Sequence, residues 1–200
     1  SRLCEYRDKK GGQLRILDLG SGLGFWGGIC RYIFDYDYGR FKRKDWLCDI
    51  TGVEICRKYK KSYFLNREYT DIVYGDLIGF VGKSLEEHRT WDIVLCIEVL
   101  EHLDASSFDF LARNFLALTS GQGMHIISTV IGEEDDSTKW RKGKSPTFDS
   151  IRILNPYQDH KHVLGYFDFC NSYQDNIGKI CRVGHSIVAI FDGSEDLICK

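Results

Sequence analysis

Short apolar runs that alternate with segments of helical character constrain this chain more than any other feature. Residues 14–19 (LRILDL), 50–55 (ITGVEI), 72–74 (IVY), 91–97 (WDIVLCI) and 124–130 (MHIISTV) read as buried strands. Between them, 25–34, 56–67, 84–88 and 107–118 read as helices, and in the last of these Phe108, Leu111, Phe115 and Leu118 share one face. Strand and helix in regular alternation predict an α/β fold: a Rossmann-like, doubly wound, mostly parallel sheet with helices on both sides. Residues 180–183 and 186–191, joined by Gly184-His185, add a C-terminal antiparallel hairpin and bring the expected sheet to seven strands. At 200 residues the chain is expected to form one domain, 1–200, with its core over 14–192.

Two stretches interrupt the alternation. Residues 35–49 (DYDYGRFKRKDWLCD) form an insertion, and 132–157 carry opposed acidic and basic blocks without apolar periodicity. Both are expected to be loops, at the rim of a site or on solvated surface, with 132–157 a lid over a substrate pocket. The apolar run at 93–100 is broken by Glu98, and Glu101 follows it, far short of the ~20 residues a bilayer requires. No membrane insertion is expected. Lys plus Arg number 27 against 29 Asp plus Glu, so no global field would hold a polyanion. The handles for nucleic acid are then local: Arg40–Lys44, Arg57–Lys61 and Lys139–Lys144. Eight cysteines without a CxxC pair read as reduced, mostly buried thiols of a cytoplasmic protein, with disulfides as the alternative.

The chemistry-bearing residues sit where strands end. Asp18-Leu-Gly20-Ser21-Gly22-Leu-Gly24 joins the first strand to the first helix, glycines that let backbone turn sharply and approach a ligand. Gly22-Leu-Gly24-Phe-Trp-Gly27 also satisfies the dinucleotide pattern GxGxxG. Asp18 argues against that ligand, since a carboxylate there faces an anionic pyrophosphate but suits a cation. Glu54 ends the second strand, placed to accept both hydroxyls of a ribose, and Asp76 follows the third, placed to accept from an exocyclic amine. Each acid could instead cap the following helix. A fourth motif runs from Asp92 through Glu98-Val-Leu-Glu101-His102-Leu103.

Together these residues resemble the class I S-adenosylmethionine-dependent methyltransferases, over nearly the whole of 14–192. The EVLEHL stretch and Asn155-Pro-Tyr-Gln-Asp159-His160-Lys161 are similar to a group of small stand-alone members. The resemblance implies that Gly20, Ser21, Gly22 and Gly24 wrap the methionine and sulfonium portion, with Asp18 supporting the loop or the ammonium. It implies Glu54 on the ribose, Ile55 against one adenine face, Asp76 and the Leu77 amide at the adenine edge, and Cys96 and Ile97 beneath the cofactor. The 35–49 insertion departs from the family pattern. The implied reaction is methyl transfer to an O or N acceptor, a small molecule or a macromolecule.

Such a transfer needs a base only where the acceptor must lose a proton. Candidates are Glu98, Glu101, His102, His160 and His162, with His102, Glu101 and His160 preferred as catalytic residues. His125 and His185 read as structural, and Trp26, Trp46 and Trp91 as packing residues. Glu98-x-x-Glu101-His102 with His160 and His162 is also similar to the metal site of small-RNA 3′-terminal 2′-O-methyltransferases, so a divalent metal is an alternative to the metal-free reading. A cofactor-binding regulatory module without catalysis is a further alternative, and a nicotinamide-dependent oxidoreductase a distant one.

Overall fold

The computed structural model describes residues 2–130, 179–183 and 186–192. Its elements are α1 (Arg2–Lys10), β1 (Leu14–Leu19), α2 (Phe25–Phe34), β2 (Cys48–Glu54), α3 (Tyr63–Glu68), β3 (Asp71–Tyr74), α4 (Leu77–Glu86), β4 (Trp91–Ile97), α5 (Ala105–Asn114), β5 (Thr119–Val130), β6 (Lys179–Val183) and β7 (Ser186–Asp192). They build a seven-stranded sheet of order β3-β2-β1-β4-β5-β7-β6. Strands β1 to β5 pair in parallel, while β7 pairs antiparallel with both β5 and β6, as the hairpin reading expected.

Side-chain alternation along the central strands fills two cores. Leu17 and Leu19 of β1 with Val94 and Cys96 of β4 face α4 and α5, packing on Val81, Phe108 and Leu111. Ile16 with Ile93 and Leu95 face the opposite layer, on Tyr6 of α1, Cys30 and Phe34 of α2, and Leu65 of α3. Both faces are therefore covered, which is why these strands read as unbroken apolar runs. Cys30, Cys48, Cys56 and Cys96 are buried in these cores. No helix among the described residues is long and apolar enough to cross a membrane.

Several boundaries differ from the sequence reading. Helix α1 was not anticipated. Helix α4 starts at Leu77 rather than 84, because Asp76 caps it by accepting from the Gly79 amide at 2.8 Å. The expected helix 56–67 is a 3-10 turn, Arg57–Lys61, followed by the short α3.

The insertion 35–49 is neither at the site rim nor loose surface. It leaves the C-terminus of α2 and enters β2, so it lies at the amino edge of the sheet, away from the strand ends that bear the motifs. Arg31, fully buried, anchors it. Its guanidinium is ion-paired with Asp35, donates twice to the Glu68 carbonyl at 3.0 and 2.8 Å, and lies 3.6 Å over the Trp46 ring. Asp35 also accepts from Arg40 at 3.0 Å and from the Leu47 amide at 2.8 Å. The proposed lid, 132–157, lies outside the described residues.

Candidate functional site

The turn after β1 meets the sheet where β2 and β4 end. Gly20, Gly22 and Gly24 all have positive φ, 72°, 55° and 89°. At Gly20 a side chain is also excluded by space, since an added Cβ would sit 2.5 Å from Val99 Cγ2. Four of the loop's amides are committed within the protein. Gly20 and Ser21 donate to the Val53 carbonyl at 2.9 and 3.0 Å, Gly22 to Glu54 at 2.7 Å, and Gly24 to the Ser21 carbonyl at 2.8 Å. Those four are therefore not available to an anionic ligand group. The buried Ser21 hydroxyl has no hydrogen-bond partner among the described residues, which leaves it open to a polar ligand group.

Glu54 is 4% exposed and braces the loop from below. Its Oε2 accepts from Gly22 and its Oε1 from the Cys56 amide, both at 2.7 Å, and the Ile55 amide is a third donor, which leaves part of the carboxylate's acceptor capacity open. Burial pushes its pKa up, partly opposed by those amides. Ile55 stands beside it, 41% exposed. Asp76 is exposed at the end of β3; Oδ2 is used in capping α4, and Leu77 begins that helix half-buried. Cys96 is buried beneath the loop at the end of β4, paired in register with Leu19.

Asp18 does not face the loop's ligand side. It is 1% exposed and accepts a hydrogen bond from the Tyr69 hydroxyl, which itself accepts from the Gly27 amide at 3.0 Å. Burial raises the Asp18 carboxyl to about 7 against the Tyr69 hydrogen bond, with nearby Glu54 adding to the rise. The Tyr69 ring occupies a slot walled by three glycines. A Cβ added at Gly24, Gly27 or Gly52 would lie 3.0 Å from Tyr69 Cε2, 2.5 Å from its hydroxyl oxygen or 2.8 Å from its Cε1. Gly27 thus completes GxGxxG for a steric reason unrelated to any nucleotide. No motif signalled Tyr69.

The β4 motif divides in two. Asp92 lies at the amino end of β4, accepting from the Arg15 amide at 2.8 Å and pairing with Lys10. Glu98 and Glu101 lie at the carboxyl end. Glu98 adopts φ 54°, strained for a residue with a side chain, and accepts from the Ser128 hydroxyl. Glu101 is 1% exposed, accepts from Thr129 Oγ1 at 2.9 Å and is hydrogen-bonded to Glu98. Burial, with neighbouring Glu98 next, raises Glu101 to about 8, so near neutrality Glu101 is largely protonated. Nothing in the sequence identified Ser128 and Thr129 as partners.

His102 follows, partly buried in a 3-10 turn, Leu100–His102. His160 and His162 lie outside the described residues, as does His185. Among the described residues no three His, Cys, Asp or Glu are grouped to hold a metal ion, so Glu98, Glu101 and His102 do not form a ligand set by themselves. His125 is buried, held at 3.0 Å from the Phe115 carbonyl, and lowered to about 4 by burial. Trp46 and Trp91 are packing residues. Trp26 differs: with Ile97, it lines a cavity of about 330 Å³ on the α1–α2 face. Of the basic clusters, Arg40 and Arg43 bond within the protein, Arg57–Lys61 is the 3-10 turn after β2, and Lys139–Lys144 is not described.

No protein-family model matches the chain, and no curated protein does. Solved structures do. A SAM-dependent methyltransferase from Archaeoglobus fulgidus superposes with TM-score 0.58 at 16% identity, covering 96% of this chain and 91% of that one. The N-methyltransferase NodS from Bradyrhizobium japonicum WM9, in complex with S-adenosyl-L-homocysteine, gives 0.57 at 13%, covering 97% and 85%. Burkholderia thailandensis 1,6-didemethyltoxoflavin-N1-methyltransferase gives 0.61 at 13%, covering 95% and 75%. At these identities the likeness is one of fold.

Proposed function

We propose that this chain, which has the class I S-adenosylmethionine-dependent methyltransferase fold, binds S-adenosylmethionine at the Gly20–Gly24 loop and transfers its methyl group to an oxygen or nitrogen acceptor. The observation that carries the reading is the buried Ser21 hydroxyl, which has no hydrogen-bond partner among the described residues and sits in the turn at the carboxyl end of β1. An open hydroxyl at this turn suits the polar amino-acid end of such a ligand.

Residue roles follow from position. Ser21 and the carbonyl oxygens of the loop hold the amino-acid end, and the open acceptor sites of Glu54 take the ribose hydroxyls. Ile55 covers the base, with Asp76 Oδ1 and the Leu77 amide at its edge. Asp18 acts at one remove, through Tyr69 and the helix that follows the loop. When bound, S-adenosylmethionine supplies an electrophilic methyl group, whose bond to sulfur breaks with the electron pair left on sulfur. The chain's own part is to orient the acceptor and receive its proton. Glu98 is the group for that task, with Glu101 holding the pair's remaining proton and His102 next to them.

Calorimetric titration tests the reading. S-adenosylhomocysteine is expected to bind and NAD(H) not to bind. Ser21→Ala is expected to weaken it by about tenfold, the worth of one hydrogen bond, and Glu54→Ala by roughly thirtyfold or more. NAD(H) binding without S-adenosylhomocysteine binding would overturn the proposal. A metal-dependent transfer to RNA ends is the less favoured reading, because among the described residues no three His, Cys, Asp or Glu are grouped to hold a metal ion. Full activity in chelator is the expected result, and activity restored only by Mn or Mg would reverse that preference.

A further inference from the structure

We infer that the acceptor is a small, largely apolar ring compound bearing one hydroxyl, and that it docks in the cavity between α2 and the β4-β5-β7 part of the sheet. This inference rests on the methyltransferase reading above. The cavity measures about 330 Å³, at the small end of the range for ligand sites. Ile29, Leu95, Ile126 and Val188 supply apolar walls, so a charged or highly hydroxylated acceptor would lose its hydration without compensation.

The hydroxyl-bearing residues of the lining, Ser128 and Ser186, lie toward one end. There the Ser128 hydroxyl donates to Glu98. That end is also where the donor loop arrives. Trp26, two residues after Gly24, forms part of the wall, and Val99, the residue after Glu98, packs directly on Gly20. A ring lying between the walls, with its face toward the Trp26 indole, would therefore present its hydroxyl to Glu98 beside the loop. A carboxylate already oriented by Ser128 and by its strained backbone needs no rearrangement to accept that hydrogen bond.

The size and the single polar end make 2-naphthol and naphthalene suitable probes, measured by calorimetry or ligand-observed NMR with the protein loaded with S-adenosylhomocysteine. The proposal expects 2-naphthol to bind roughly ten- to hundredfold more tightly than naphthalene, the worth of a hydrogen bond to a charged group. Ser128→Ala is expected to narrow that ratio by releasing Glu98. Ile126→Trp, which fills the cavity, is expected to abolish binding of both probes while S-adenosylhomocysteine still binds. Val188→Trp serves as a second block should Ile126→Trp not fold. Equal binding of the two probes to the native chain, or undiminished binding to a folded filled-cavity variant, overturns the inference. Failure of S-adenosylhomocysteine to bind the native chain, with 2-naphthol still held in the cavity, would instead remove the methyltransferase reading and leave the cavity's ligand class standing.

Discussion

Replacing Gly27 by alanine sets two physical effects against each other with opposite signs. Gly27 lies in the first turn of α2, where alanine has the higher helix propensity by about 1 kcal/mol, so local reasoning expects stabilisation. The Tyr69 ring says otherwise. An alanine Cβ would stand 2.5 Å from the Tyr69 hydroxyl oxygen, and Gly52 and Gly24 on the other sides leave the ring no room to retreat. Overpacking of this kind costs about 1–3 kcal/mol. Displacing the hydroxyl also breaks its bond to buried Asp18, at about 1–2 kcal/mol more. Net of propensity, Gly27→Ala is expected to destabilise by about 3 kcal/mol, a fall in Tm of roughly 6–12 °C for a domain of this size.

The neighbouring Gly28→Ala is the internal comparison. Its Cβ would meet the half-exposed Phe64 ring at 3.1 Å, which can swing aside, and Glu68 Cγ at an ordinary 3.9 Å, so it is expected to be neutral or mildly stabilising. Thermal and urea unfolding would measure both, and in a Tyr69→Leu background the penalty for Gly27→Ala should largely vanish. If the two alanine variants shift stability alike, or if Tyr69→Leu fails to rescue, the three-glycine slot is not what fixes Gly27.

Other outcomes follow from the same contacts. Arg31→Met, which removes Asp35's fully buried partner while Arg40 and the Leu47 amide remain, and takes both donors from the Glu68 carbonyl, is expected to cost about 2–4 kcal/mol in denaturant unfolding, while a surface change such as Lys42→Met should cost under about 0.5. Glu101 has its folded pKa raised, so its contribution is full below the unfolded value near 4.5 and is lost as pH rises toward about 8. Glu101→Gln should therefore flatten the decline in Tm between pH 5 and pH 8, and an unchanged slope would refute the protonated state assigned to it. Asp18, raised to about 7, gives the same direction, and Asp18→Asn is expected to fold with its Tyr69 contact intact, read as near-native Tm at pH 5.

Sheet and loop were legible because their signals are local. Strands β1 and β4 match their sequence bounds, since both are covered on two faces and stop at a glycine or a glutamate. The hairpin was equally plain. Helix α1 was missed: nine mostly charged residues carry weak periodicity, although the basic last turn and Gly11, at φ 56°, were available as stop signals. What could not be read is partnership at long range. Asp18 and Tyr69 are 51 positions apart, and Glu98 and Ser128 are 30. Thus the position of Asp18 was anticipated while its partner was not, and Glu98 was recognised as a carboxylate without the hydroxyl that aims it. The insertion was misplaced for a related reason, since its anchor is a single buried arginine in the preceding helix.

Glu98 holds its carboxylate in place at the expense of a left-handed backbone that glycine or asparagine would adopt far more readily. A laboratory selection for heat resistance alone should therefore find position 98 early. Variants such as Glu98→Gly would emerge with higher Tm and reduced turnover, and a selection that also demanded product would discard them. The position where those two selections diverge marks the residue whose geometry is retained for its use, at the cost of the fold's ease.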